Sequence, residues 1–261
     1  MKTALLVCSL LALPAGAALA ADSPWNGTWK LDQAKSQFAG GTFTIAKGAG
    51  SMLHYSDGST TEYDFAPDGK ERKSWANRTM SWTASGKNTW DTVTKIDGKV
   101  FGKGHMTLAK DGTTLTESWS GTMPDGSAVH EDDVLARVSG TEGLIGTWRA
   151  TKVTGGGGPA EFVINVPAPG KVHYVIPDMK LNVEASSDGS DNALTGPTIA
   201  PGSTISFQAL SPTKMRYLMK VNGKPDNEGE QTLAADGHTF TDVNWTPGKE
   251  SEKTTGIYVK Q

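Results

Sequence analysis

The chain has 261 residues, and its 25 lysine and arginine residues against 28 aspartate and glutamate residues give a formal net charge of −3 at pH 7. These charges are interspersed, so the sequence has neither a basic stripe for a phosphate backbone nor a polybasic cluster for anionic lipid, and we expect no nucleic-acid partner. The 31 glycines and 13 prolines favour many turns and short strands over helices.

The first 20 residues have the pattern of a secretory signal peptide. A short basic start precedes an apolar run over 4–13, and small residues at 18–20 end the segment. Pro14 interrupts the run before it reaches the roughly 20 apolar residues of a membrane span. We therefore expect a periplasmic or secreted protein with no integral membrane segment in its mature chain. Cys8 is the only cysteine, so we expect no disulfide and no thiolate chemistry after cleavage.

An internal repeat organises the rest of the chain. The tripeptide Gly-Thr-Trp at 27–29 returns at 146–148. Two longer pairs of segments keep one constant spacing, 95–99 with 220–224 and 107–112 with 232–237. The repeat predicts two homologous domains of roughly 115 residues, at 24–138 and 144–261. The small polar segment 139–143 is the predicted linker between them.

The elements of each copy can be predicted in order. The segment 25–31 is expected to be the first strand, and 32–38 is the best helical candidate, one or two turns long with Asp32 as its N-terminal cap. After it, Asp-Gly and Asn-Gly pairs predict the two-residue turns that join antiparallel strands. These pairs lie at 57–58, 68–69, 97–98, 111–112, 125–126, 188–189, 222–223 and 236–237.

Between these turns, apolar and polar residues alternate as they do in strands with one side in water. Met80 and Trp82, for example, are expected on one face, and Ser81 and Thr83 on the other. Meanders of such strands hide their edges by closing into barrels. The predicted fold class is all-β, with two tandem antiparallel meander β-barrels. A β-sandwich is the alternative.

A Gly-x-Trp on the first strand of an antiparallel barrel resembles the lipocalin and calycin signature. Here it occurs twice, with Gly27 and Trp29 in the first copy and Gly146 and Trp148 in the second. The segments 27–38 and 249–261 also resemble a group of lipocalin-like bacterial secreted proteins. This resemblance implies a structural role for the four signature residues, because in lipocalins the tryptophan closes the base of the barrel.

Two further expectations follow from the resemblance. In lipocalins an arginine from a late strand usually stacks on the signature tryptophan, and Arg137 is the candidate in the first copy, whereas the matching stretch 257–260 has no arginine. The resemblance also implies carriage of a small apolar molecule, although a fold does not determine a function.

Large apolar side chains on the strand faces are candidates for lining a ligand cavity. The candidates are Trp75, Trp82 and Trp90 in the first copy and Phe207, Met215, Tyr217 and Met219 in the second. The same side chains would equally fill the interior of a small barrel. Methionine adapts to varied ligand shapes, so the second copy is favoured if only one barrel is open.

The sequence predicts neither a metal site nor catalytic residues, and no cofactor. The segment 130–133, His-Glu-Asp-Asp, is the densest group of metal-ligating residues, but neighbours on a strand point to opposite faces and few of these ligands would converge. The chain has no Gly-x-Ser-x-Gly elbow, and no cysteine remains in the mature sequence to pair with a histidine.

The predicted function is therefore non-enzymatic binding of a small hydrophobic or amphipathic ligand in at least one barrel. The alternative is a structural or interaction module with filled barrels and function on its loops. An interior cavity of roughly a few hundred Å³ would favour carriage. A buried carboxylate or histidine with a perturbed pKa in a polar cleft would favour an enzyme.

Overall fold

The structure is a computed structural model that describes residues 23–156 and 158–261. The predicted signal peptide at 1–20 lies outside the described residues. The described chain holds 20 strands and no helix, so the all-β class is confirmed. It accordingly offers no helix with the length and apolar character needed to cross a membrane.

The strands are β1 Gly27–Leu31, β2 Thr42–Lys47, β3 Leu53–Ser56, β4 Glu62–Phe65, β5 Arg72–Lys73, β6 Arg78–Gly86, β7 Thr89–Ile96, β8 Lys99–Leu108, β9 Thr114–Thr122, β10 Ala128–Glu142, β11 Ile145–Thr154, β12 Glu161–Asn165, β13 Lys171–Ile176, β14 Leu181–Ser186, β15 Asp188–Ala193, β16 Ser203–Ser211, β17 Lys214–Val221, β18 Lys224–Leu233, β19 Thr239–Trp245 and β20 Thr254–Lys260.

The strands form two antiparallel sheets of ten strands each. The first barrel contains β2 to β11 in the order β4-β3-β2-β11-β10-β9-β8-β7-β6-β5. The second barrel contains β1 and β12 to β20 in the order β14-β13-β12-β1-β20-β19-β18-β17-β16-β15. Each sheet curls until its two end strands are neighbours, β4 beside β5 and β14 beside β15. The predicted tandem antiparallel barrels are confirmed.

The two Gly-Thr-Trp strands are exchanged between the barrels. β1 pairs with β12 and β20 of the second barrel, whereas β11 pairs with β2 and β10 of the first. The domain limits 24–138 and 144–261 therefore do not coincide with the barrels. The first range contains β1, which pairs within the second barrel, and the second range contains β11, which pairs within the first.

The prediction of a linker at 139–143 is wrong. The strand that occupies this segment explains why the two Gly-Thr-Trp strands are exchanged between the barrels. Residues 139–142 continue β10, which turns at Gly143 directly into β11. Antiparallel strands joined by so tight a turn pair with each other, so β11 stays in the first barrel. The chain instead passes between the barrels at 32–41 and again after Thr154, where β11 of the first barrel ends and the next strand, β12, belongs to the second.

The helix predicted at 32–38 is also wrong, although its cap forms. The Lys35 N–H donates to Asp32 Oδ1 at 3.3 Å and the Ser36 N–H to the Asp32 carbonyl at 3.1 Å. A single turn results. Gln37 then exchanges two backbone hydrogen bonds with Thr255, at 2.8 and 2.7 Å. This pairing needs extended backbone, so it ends the turn before a helix can develop.

Other local predictions hold. Asp97-Gly98 and Asn222-Gly223 have positive φ at both residues, which is the conformation of the primed hairpin turns predicted for these pairs. They join β7 to β8 and β17 to β18, at equivalent places in the two barrels.

A buried tryptophan lies in the core of each barrel. Trp29 and Trp148 are both 0% exposed. Their indole N–H groups donate to the carbonyls four residues upstream, Trp29 to Trp25 and Trp148 to Leu144, each at 2.9 Å. The two barrels thus repeat one arrangement, in which the only polar atom of a large buried ring is satisfied by nearby backbone.

The signature glycines are required by backbone geometry. Gly27 has a φ of +146° and Gly146 a φ of +147°, conformations that side chains disfavour. A Cβ at Gly146 would lie 2.2 Å from the backbone oxygen of Ser139, and one at Gly27 would lie 2.7 Å from Cε of Lys260. Each signature strand therefore needs a glycine where it passes its neighbour.

Candidate functional site

The second barrel encloses a cavity of about 260 Å³. Its walls are mainly aliphatic and aromatic side chains from β12 to β17. Three of the four predicted ligand-binding residues of this copy line it: Phe207, Tyr217 and Met219. The fourth, Met215, is buried in the core but is not among the cavity-lining residues.

A polar cluster interrupts the apolar wall of this cavity. Its members are Tyr174, Tyr217, Gln231, Asp242 and Asn244, all of which line the cavity. The Tyr174 hydroxyl donates to Gln231 Oε1 at 2.6 Å. Asp242 Oδ2 accepts from the Tyr217 hydroxyl at 3.4 Å and from Asn244 Nδ2 at 3.1 Å. Neutral donors therefore surround one oxygen of a buried carboxylate.

Asp242 is the charged group of this cluster. It is 6% exposed, and burial raises the pKa of its carboxyl to about 6, against the opposing effect of the nearby polar side chains of Asn244, Tyr217 and Gln231. Its Oδ1 has no hydrogen-bond partner among the described residues. The described lining of the cavity contains no lysine, arginine or histidine, so no opposite charge compensates Asp242 there.

The first barrel encloses a second cavity, of about 330 Å³. Two of the three predicted ligand-binding residues of this copy, Trp75 and Trp82, line it. Trp90 packs against the core of the barrel and is not among the lining residues. The sequence favoured the second copy if only one barrel were open, and both barrels contain a cavity.

The lining of the first cavity carries charges of both signs. Arg78 lies over the rings of Trp75 and Phe101, with its Cζ 4.9 and 5.9 Å from their centroids. Its guanidinium also donates to the carbonyl of Thr198, from the second copy, at 3.0 Å. Glu117 lines the same cavity. An arginine stacked on aromatic rings and a carboxylate therefore face one interior space.

Burial raises the pKa of Glu117 to about 7, and the nearby carboxylates Asp133 and Glu131 contribute to this rise. Asp133 lies directly opposite Glu117 on the adjacent strand, so the two share the inward face. His130 and Asp132 take the outer face, where their side chains are 3.0 Å apart and exposed. The alternation expected for 130–133 is therefore present. No group of three or more histidine or acidic residues in the described chain is arranged to hold a metal.

Glu117 and Asp242 are equivalent positions of the repeat. Leu115-Thr116-Glu117 on β9 corresponds to Phe240-Thr241-Asp242 on β19. Leu115 and Phe240 are both 0% exposed, so the acidic residue two positions later shares their inward face. Neither carboxylate is among the site residues predicted from the sequence. The available signal was an apolar-Thr-acidic pattern that the two copies share, with the acid on the apolar face.

The cavity of the second barrel combines a buried carboxylate of raised pKa with neutral hydrogen-bonding side chains. Asp242 can accept a hydrogen bond or bind a cation, and its tyrosine and amide neighbours can orient a polar group. The described lining of its cavity contains no serine, cysteine, lysine or histidine, so proton transfer there would fall to Asp242 and the two tyrosines. Searches against protein-family models, curated proteins and solved structures found no match for the chain.

Proposed function

We propose that this protein carries a small amphipathic molecule, and that the second barrel is its principal binding site. The observation that carries the proposal is the apolar cavity of about 260 Å³ with a polar cluster in its wall. An apolar cavity with a few convergent polar groups is the usual form of a small-molecule site. The resemblance of the Gly-x-Trp strands to lipocalins supports the same function, and the signal-peptide pattern at 1–20 supports its placement outside the cytoplasm.

The cavity also indicates the size of the ligand. About 260 Å³ lies near the lower end of the roughly 300–1,000 Å³ typical of ligand sites. A medium-length alkyl chain with one polar head matches this space better than a large multi-ring compound does. The apolar walls would bury the chain, and each CH₂ removed from water contributes about 0.8 kcal/mol.

The alternative, a structural or interaction module, predicts side chains that meet at the barrel axis. Both barrels instead enclose interior space, about 260 and 330 Å³. Large side chains such as Phe207 and Trp82 form the walls of these spaces. We therefore favour carriage over the filled module.

Native mass spectrometry of the mature protein, purified from its native secretion route, tests the proposal. We expect a bound small molecule that leaves on denaturation, and its analysis would give the ligand class. The protein is then incubated with a mixture of medium-chain amphiphiles after the ligand has been removed. An unliganded mass after both steps would contradict carriage and favour the interaction module.

A cavity-filling variant locates the site. Val183 is buried and lines the second cavity, so we expect Val183→Phe to occupy the space and lower ligand occupancy at least tenfold. Val138→Phe is the matched control, because Val138 is 61% exposed on a strand and lies outside both cavities. Equal occupancy in the two variants would exclude this cavity as the site.

A further inference from the structure

We propose that the ligand of the second barrel is an amphiphile with a protonated amine as its head group, and that Asp242 binds this amine. The inference deepens the proposed function and rests on it. The amine assignment specifies the charge of the ligand's head group, which an apolar cavity alone does not determine.

The hydrogen bonds around Asp242 leave one acceptor for a ligand. Tyr217 and Asn244 both donate to Oδ2, whereas Oδ1 has no partner in the described chain. A carboxylate oxygen has capacity for more than one donor. Because Asp242 lines the cavity, an ammonium group in this space is the type of donor that would satisfy Oδ1.

The charge balance of the cavity favours a cation. A buried carboxylate without a partner is costly, since it has lost water and gained no opposite charge. The groups that face Asp242 from the packed strands are Tyr174 on β13, Tyr217 on β17, Gln231 on β18, Asn244 on β19 and Tyr258 on β20. All are uncharged near neutral pH. A ligand ammonium would supply the missing charge, whereas a fatty-acid carboxylate would be repelled.

The first barrel does not support the same inference. Glu117 occupies the equivalent position, but Arg78 lines that cavity as well. A cation is therefore already present in the first site, and its preference between amines and carboxylates does not follow from Glu117 alone. The proposal is confined to Asp242 and the second barrel.

Three probes with the same chain and different heads test the proposal: octylamine, octan-1-ol and octanoate. Binding of each to the full mature protein is measured by isothermal titration calorimetry at pH 8, where octylamine is protonated and Asp242 is ionised. We expect octylamine to bind at least tenfold more tightly than octan-1-ol, and octanoate to bind most weakly. Val183→Phe should abolish this binding, which assigns it to the second cavity.

Asp242→Asn is the decisive variant because it removes the charge and keeps the shape. We expect it to lower octylamine affinity to the level of octan-1-ol and to change octan-1-ol affinity less than twofold. Glu117→Gln makes the matched carboxylate-to-amide change in the other barrel and should preserve the amine preference. If Asp242→Asn does not fold, the wild-type protein provides a second measurement: octylamine affinity should fall as the pH decreases from 8 to 5 and Asp242 becomes protonated.

The outcomes separate the two proposals. If none of the three probes binds, carriage of medium-chain amphiphiles by this barrel is contradicted, and the amine assignment with it. If octan-1-ol or octanoate binds as tightly as octylamine and Val183→Phe blocks that binding, carriage stands and the amine assignment is overturned. An amine preference that persists in Asp242→Asn, or octylamine affinity that does not change with pH, would also overturn it.

Discussion

The guanidinium of Arg137 stacks on the indole of Trp148, with its Cζ 4.1 Å from the ring centroid, although the two residues belong to different copies of the repeat. Arg137 also donates to the carbonyls of Gly112, Gly143 and Ile145, at 2.5 to 2.6 Å. The resemblance to lipocalins suggested that Arg137 would serve the first copy, whose tryptophan is Trp29. Strand exchange places Trp148 beside it instead, and Lys260 lies 5.0 Å from the Trp29 ring.

We expect Arg137→Ala to destabilise the first barrel by about 2 kcal/mol, because it removes a cation–π contact and three charge-assisted hydrogen bonds, two at the β10–β11 turn and one to the β8–β9 connection. Urea denaturation followed by tryptophan fluorescence measures the change. Lys260→Ala is the matched change at the second barrel. It should have a smaller effect, since Lys260 contributes one longer ring contact and one hydrogen bond to the Pro24 carbonyl at 3.2 Å. Equal losses in the two variants would contradict this account.

The exchange also predicts which part of the chain folds alone. The fragment 42–154 contains all ten strands of the first barrel in one continuous segment. We therefore expect it to be monomeric, with a cooperative thermal transition by circular dichroism and a dispersed amide NMR spectrum. The fragment 161–261 lacks β1 and should leave β12 and β20 unpaired along one edge, which favours aggregation. An unfolded 42–154 fragment would show that the first barrel depends on its neighbour.

Gly146→Ala should be more damaging than Gly27→Ala. Both residues have φ near +146°, so each substitution introduces backbone strain of about 1–3 kcal/mol. At Gly146 the new Cβ would also meet the backbone oxygen of Ser139, whereas at Gly27 it meets the flexible Lys260 side chain. We expect a loss above about 3 kcal/mol for Gly146→Ala, measured by urea denaturation, and a smaller loss for Gly27→Ala. The reverse order would be inconsistent with a backbone clash at Gly146.

Asp242 should make the stability of the protein pH-dependent. Its pKa is about 6 in the folded protein, against about 3.9 for an aspartate in an unfolded chain, so the folded state binds the proton more tightly. Protonation of Asp242 therefore stabilises the folded state. This contribution to the free energy of unfolding is fully present below about pH 4 and is lost as the pH rises through about 6. Asp242→Asn removes this dependence. We expect the variant to be more stable than the wild type by about 3 kcal/mol at pH 8.

Urea denaturation of Asp242→Asn and wild type at pH 4, 6 and 8 tests this expectation. The difference in the free energy of unfolding should shrink toward zero at pH 4, where Asp242 is protonated in the folded state and partly protonated in the unfolded chain. Because both proteins share all other titrating groups, the comparison isolates Asp242. A difference that is the same at all three pH values would show that Asp242 is not a buried charge.

Features that depend on local chemistry were predictable from the sequence. The Asp-Gly and Asn-Gly turns, the alternation of apolar and polar residues and the doubled Gly-Thr-Trp predicted an all-β chain of two antiparallel barrels. Alternation also identified inward side chains, among them Trp82, Phe207, Tyr217 and Met219, which line the barrel cavities. These properties rest on backbone preferences and on strand period, both of which are readable over a few residues. Trp75 lines the first cavity from the segment between β5 and β6, where no alternation applies.

Which barrel each signature strand joins depends on long-range strand pairing and could not be predicted from local sequence. β1 and β11 carry the same Gly-Thr-Trp, so either could pair within either barrel, and the tight turn at Gly143 settles the choice by keeping β11 beside β10. The site depended on long-range packing in the same way. Trp90 and Met215 pack in the barrel cores and line neither of the two barrel cavities. The burial of Asp242 follows from strands far apart in the chain closing around it.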